Sequence, residues 1–248
     1  MTDPIYLDYN ATTPVDPRVL DAMLPWLKDG YGNPSSDHVF GRRAKAAVEA
    51  ARAQVAALIG ARPEEIVFTG CATEANNLAI LGVARVRPGP MSYSAVEHPS
   101  VAAPMRQEGA TNIPVDATGR IDSGTLEIAT GTVLVSVMLA NNEVGTVQPI
   151  RAIADRAHAA GALMHVDAAQ AAGKILVDVD ALGADLLTLA GHKFYAPKGV
   201  GALYVRASTE IAPIQFGAGH ERGWRPGTEN VPHLVALGEA ARIARSEL

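Results

Sequence analysis

Of the five lysines in this 248-residue chain, one stands apart by its neighbours. Lys193 comes just after the apolar run Asp185 to Leu189, through Ala190, Gly191 and His192. In an open α/β sheet, ligands gather at the carboxyl ends of the strands. An amine held there, partly stripped of water and close to other cations, is primed to attack an aldehyde and form a Schiff base. The plain alternative is a surface lysine in a loop, and position alone leaves the two level. The other four have simpler settings. Lys28 and Lys45 fall on solvated helix faces, Lys174 opens a strand-like stretch, and Lys198 sits in a Pro-Lys-Gly turn.

Asp167 ends a second strand-like run, His165-Val166-Asp167. A carboxylate there would keep a pyridine nitrogen protonated, the condition that makes pyridoxal phosphate an electron sink. It would equally cap the following helix through Ala168 and Ala169, and the two roles are compatible. A phosphate needs backbone donors at a helix start. Phe68 to Glu74 supplies a strand, a small-residue turn and a helix start, with Thr73 in capping position. His98, in Val96-Glu97-His98-Pro99, is placed to stack on a flat ring, although a lone histidine is more often structural. A third strand end carries Asn141-Asn142-Glu143.

These residues need a scaffold, and the chain alternates two kinds of segment that would build one. Buried strands are expected at Ile66–Thr69, Thr132–Met138, Leu163–Asp167, Asp185–Leu189 and Val200–Val205, with weaker candidates at Met91–Ser94 and Asn112–Val115. Helices are expected at Arg18–Lys28 (behind Asp16-Pro17), Gly41–Leu58, Ile150–Ala160 and Pro232–Leu248. Alternation of this kind predicts an α/β layer fold with a largely parallel sheet. The division expected is an N-terminal segment, 1–15, followed by one large domain, 16–248.

Composition sets the outer limits. With 48% apolar residues the chain can bury a sizeable core, and a net charge of −5 argues against a general nucleic-acid or membrane-surface binder. No apolar run approaches the ~20 residues of a membrane span. The first ten residues lack the basic end and apolar stretch of a signal peptide. The single cysteine, Cys71, excludes an internal disulfide framework and a multi-cysteine metal site. A cytoplasmic protein is expected.

Taken together the motifs resemble the cysteine desulfurases, the NifS/IscS-like group of the class V aminotransferase superfamily with the fold-type I architecture. The resemblance runs in order through YLDYNATTP (6–14), YGNPSS (31–36), FTGCATEANNLAI (68–80), VEHPS (96–100), NNEVGTVQPI (141–150), HVDAAQAAGK (165–174), GHKFYAPKGVGALYV (191–205) and GAGHERGWRPGTEN (217–230). It implies a three-layer large domain with a mostly parallel mixed sheet between helices. The C-terminal small domain would be missing or truncated, the last helix leading towards it.

The resemblance also implies roles. Lys193 would carry pyridoxal phosphate covalently and then move the substrate's α-proton. Asp167 would pair with the pyridine nitrogen, while Gln170 and Asn142 would bond near the ring hydroxyl, Asn142 also meeting the substrate. His98 would stack on the ring and assist proton transfers. Thr73 with the adjacent Ala72 backbone, together with His192, would hold the phosphate. Thr228, in Arg225-Pro226-Gly227-Thr228, would complete the partner's phosphate site in a homodimer. The implied reaction turns L-cysteine into L-alanine and passes sulfur on as a persulfide, for an iron–sulfur scaffold or a tRNA-thiolation protein.

Two departures stand out. Nothing here matches the family's persulfide cysteine loop or its carboxylate-binding arginine, both expected beyond Leu248. Ala190 also replaces a serine that usually binds phosphate, a loss of about 1 kcal/mol. Selenocysteine lyase or another C–S lyase, and a non-catalytic scaffold of the same fold, are the alternatives.

Overall fold

The computed structural model describes residues 4–248, so the first three residues of the expected 1–15 segment lie outside it. Residues 4–16 contain no helix or strand. The chain then runs α1 (Pro17–Lys28), α2 (Val39–Leu58), β1 (Ile66–Thr69), α3 (Ala72–Val86), β2 (Met91–Ser94), α4 (Pro99–Gln107) and β3 (Thr111–Ile113). It continues with β4 (Leu134–Met138), α5 (Ile150–Ala159), β5 (Leu163–Asp167), α6 (Val179–Leu182), β6 (Leu186–Ala190), β7 (Gly201–Val205) and α7 (Val231–Glu247).

The strands form one sheet in the order β1-β7-β6-β5-β4-β2-β3. Only β7 runs against its neighbours, β1 and β6; the other pairings are parallel. Strands with both faces covered read as continuous apolar runs, which is why they were legible as such. Their residues alternate between two cores. Ile66, Phe68, Val135 and Val137 meet α2, α5 and α7 on one face, and Val67, Leu134, Leu186 and Leu203 meet α3 and α4 on the other. The result is the expected three-layer fold-type I arrangement, a mostly parallel mixed sheet between helices.

Local chemistry sets the helix ends. Asp16 accepts the Arg18 N–H at 2.8 Å and Pro17 starts α1, as its sequence predicts. In α2 the cap is His38, whose Nδ1 accepts the Gly41 N–H, so that helix begins at Val39 instead of Gly41. α7 packs closely on α2 because Gly238 lies there: a β-carbon would stand 2.6 Å from the Ala51 Cα.

One expected strand fails. The β-branched run after Lys174 lies in a turn, with Leu176 87% exposed, and α6 follows under an Asp178 cap. The run joins no ladder of the seven-stranded sheet, and pairing decides whether such a run becomes a strand.

Candidate active site

The carboxyl ends of β4, β5 and β6 and the N-terminus of α3 open onto one cavity of about 510 Å³. Its anion-binding end is built from backbone. Thr69 Oγ1 donates to the Cys71 carbonyl at 3.0 Å, and Cys71, in an extended conformation, becomes the N-cap of α3. Thr73 therefore sits inside the first turn and is not the cap its sequence position suggests. No side chain caps this helix, so its first N–H groups lack intrahelical partners and carry the positive end of the helix dipole.

The turn is pressed from behind by Gly201 on β7. A β-carbon at Gly201 would lie 2.9 Å from Cys71 C and 3.1 Å from Ala72 N. Glu74 Oε2 accepts the Gly70 N–H at 2.5 Å while its Oε1 accepts from Arg225 Nε at 2.8 Å. The phosphate turn is thus tied to the 217–230 segment. Ala190 and His192 form the neighbouring wall.

Asp167 lies at the floor, 4% exposed. Its Oδ1 accepts the Ala169 N–H at 2.9 Å, the capping contact expected, though over a turn and not a helix. Its Oδ2 accepts from Asn76 Nδ2 at 2.8 Å. Burial pushes the Asp167 carboxyl above the usual carboxylate range, opposed by those donors and the Lys193 charge. Beside it, the Glu97 carboxyl takes the Met138 N–H at 2.6 Å on Oε1, while its Oε2 is buried without a partner. Burial first, and then the Asp167 charge, raise the Glu97 carboxyl well above its ordinary range. Both effects favour the uncharged form of Glu97 over the carboxylate.

Lys193 is half-buried, and that burial lowers its ammonium below the usual lysine range, against the pull of Asp8 and Asp167. Its Nζ donates to the carbonyls of Asn10 and Ala11, the latter at 2.9 Å. Asn10 also accepts Gln170 Nε2 on its carbonyl at 2.8 Å and donates its own Nδ2 to the Asn142 carbonyl at 3.2 Å. Lys174 Nζ reaches Gln170 Oε1 at 2.7 Å, and burial and Lys193 both lower it. Residues 8–13 thus form a strap over the lysine. Thr13 stitches it down: its N–H donates to the His192 carbonyl at 3.0 Å, and its hydroxyl takes the Tyr195 N–H at 2.9 Å.

All the expected cofactor residues except one line the cavity: Ala72, Thr73, His98, Asn142, Asp167, Gln170, His192 and Lys193. Thr228 is exposed and stands outside it. His165 is buried inside the sheet between Ser136 and Thr188, not at the cavity. Asn10, Asn76, Glu97, Ser100 and Lys174 escaped sequence reading. Asn10 lies in the block YLDYNATTP but was assigned no role, whereas Asn76 is legible in principle as an amide on the apolar face of α3.

The family model described as aminotransferase class-V matches residues 5–248. The chain belongs to that family. A class-V relative from Trichormus variabilis, cysteine desulfurase 2, is 50% identical over 98% of this chain and 64% of its own length. The mitochondrial cysteine desulfurase of Drosophila melanogaster is 49% identical over 99% of this chain and 56% of its own. Against the curated relatives it matches, the chain therefore spans less than two thirds of their length. Among solved structures, a NifS-like protein superposes with a TM-score of 0.93 at 39% identity, covering 98% of this chain and 70% of that one. SspA in complex with cysteine gives 0.90 at 42% identity, covering 95% and 72%.

Class-V enzymes use pyridoxal phosphate, and this cavity fits it. An uncapped helix N-terminus suited to a phosphate, a buried carboxylate suited to a ring nitrogen and a partly desolvated amine suited to an aldehyde share its lining.

Proposed function

We propose that these residues form the cofactor-bearing part of a cysteine desulfurase that converts L-cysteine to L-alanine and passes the sulfur on as a persulfide. The observation that carries the reading is one cavity shared by the Lys193 amine, the buried Asp167 carboxylate and the uncapped start of α3. Relatives named cysteine desulfurase at about half identity support the substrate, as does the likeness to SspA in complex with cysteine.

Pyridoxal phosphate, when bound, supplies an aldehyde and an electron-withdrawing ring that acidifies the Cα–H of an attached amino acid. The first N–H groups of α3, at Ala72 and Thr73, and the His192 side chain would hold its phosphate. Asp167 would hold the proton on the ring nitrogen. Gln170 and Asn142 would bond at the ring hydroxyl, Asn142 also at the substrate, and His98 would stack on the ring. Lys193 Nζ, deprotonated more readily than a free lysine, takes the α-proton and returns one when the product forms. A thiolate of the sulfur-accepting loop or partner would take the substrate sulfur, an S–S bond forming as Cβ–S breaks, and the electron pair released to Cβ would take up a proton to give alanine. In this reading that thiolate is not Cys71, which caps α3 in the phosphate turn.

The reading includes a cytoplasmic homodimer in which Thr228 reaches the partner's phosphate site, and an iron–sulfur scaffold or tRNA-thiolation protein as sulfur acceptor. The exposure of Thr228, and of large apolar side chains such as Tyr31 and Phe216, supports the dimer. The test is to incubate the chain with pyridoxal phosphate, L-cysteine and a thiol, and to quantify alanine. Alanine formed by the wild type and not by Lys193→Ala is expected. Alanine formed equally by both would overturn the assignment.

A further inference from the structure

Along the cavity wall, four polar side chains form an unbroken hydrogen-bonded chain. Asn76, fully buried in α3, donates through Nδ2 to Asp167 Oδ2 at 2.8 Å and to Ser100 Oγ at 2.8 Å. Ser100, buried in the first turn of α4, places that Oγ 2.8 Å from His98 Nδ1. Its backbone N–H donates to the same ring nitrogen at 3.1 Å. His98 is therefore the N-cap of α4 as well as a wall of the cavity.

The amide orientation follows from the network, because the reverse would set an amide oxygen against the Asp167 carboxylate. In this orientation both Nδ2 protons are used, and Asn76 Oδ1 is left buried without a partner. An orphaned buried oxygen costs stability, so packing does not explain an asparagine here. A role for its two donors does.

Donor accounting then fixes the histidine. The Ser100 N–H can only donate, so His98 Nδ1 must present a lone pair. The Ser100 hydroxyl accepts from Asn76, which frees its own proton for the same nitrogen. The single proton of the neutral ring is left on Nε2. We propose that the Ser100 backbone N–H locks His98 as the Nε2–H tautomer, and that Asn76 and the Ser100 hydroxyl are positioning groups that couple the ring to the Asp167 carboxylate. His98 then offers its Nε2–H as a hydrogen-bond donor to the cofactor or substrate. A second ring proton would have to sit on Nδ1, facing the Ser100 N–H. The functional side of this inference rests on the pyridoxal phosphate reading, whereas the tautomer rests only on the hydrogen bonds.

The experiment is a long-range proton–nitrogen correlation spectrum of the chain with isotope-labelled histidine at neutral pH, taken with and without pyridoxal phosphate. His98→Gln assigns the signal by its disappearance. An unprotonated Nδ1 and a protonated Nε2 are expected in both states. A protonated Nδ1, a doubly protonated ring or a tautomer mixture would overturn the proposal. Ser100→Ala keeps the backbone donor and should keep the tautomer, with the link to Asn76 cut. Asn76→Ala should weaken pyridoxal phosphate binding about tenfold or more, read by absorbance titration, since it removes a donor to a charged group. Unchanged binding in Asn76→Ala would refute the coupling to Asp167. If that variant fails to fold, the wild-type spectrum still decides the tautomer. A chain with the expected tautomer that binds no pyridoxal phosphate would refute the cofactor reading and leave the tautomer standing.

Discussion

Acid should destabilise this protein through a residue that takes no part in the chemistry. His165 on β5 is fully buried, its Nδ1 2.7 Å from Ser136 Oγ and its Nε2 3.1 Å from Thr188 Oγ1, so it touches hydroxyls and no carboxylate. Burial alone pushes its pKa down to about 3. An unfolded histidine titrates near 6.5. Between those values the unfolded chain holds a proton that the folded chain refuses, so stability is full above about pH 6.5 and falls as pH drops towards 3. From pH 7 to pH 5 the loss from this one side chain comes to about 2 kcal/mol. Urea unfolding at pH 7, 6 and 5, for the wild type and His165→Gln, measures it. The variant is expected to start less stable and to lose about 2 kcal/mol less over that range. Parallel pH dependences of the two proteins would refute the reasoning.

Three further outcomes follow from the same contacts. Glu221→Gln removes the counter-charge from Arg52, which it meets at 2.8 Å with both side chains nearly buried; denaturant titration should show a loss of about 3 kcal/mol or more. Ala190→Ser restores a hydroxyl beside the phosphate turn, and pyridoxal phosphate should bind about fivefold more tightly by absorbance titration, equivalent to about 1 kcal/mol. Gly201→Ala drives a methyl into backbone on two sides, the Leu189 carbonyl at 2.7 Å and Cys71 C at 2.9 Å. Calorimetry should show a lower Tm, for about 1–3 kcal/mol of overpacking, and cofactor affinity should fall with the displaced turn.

What the sequence revealed and concealed divides along a physical line. Leu163–Asp167 and Ile66–Thr69 were legible to the residue because both faces of those strands are covered, leaving short apolar runs with sharp ends. Lys193 and Asp167 stood out because strand ends are where such a sheet places its chemistry. Thr73 was misjudged as the cap because the helix start is set by the Thr69–Cys71 hydrogen bond, which residue types alone do not show. Lys174 was misread because Ile175, Leu176 and Val177 have strand propensity but join no ladder of the sheet. The role of the strap residue Asn10 was not legible from its motif, since its partners lie 132 to 183 positions away. Asn76 and Ser100 lie within the motifs FTGCATEANNLAI and VEHPS, but their residue types alone assign them no role. Their meaning lies in three contacts of 2.8 Å that only the fold creates.

The most direct measurement is chemical. The chain is saturated with pyridoxal phosphate, reduced with borohydride, digested and mapped by mass spectrometry. A single pyridoxyl addition on Lys193 is the expected result, with Lys174 and Lys198 unmodified. Addition at either of those lysines in its place, or none at all, would contradict the assignment of Lys193 as the residue that holds the cofactor.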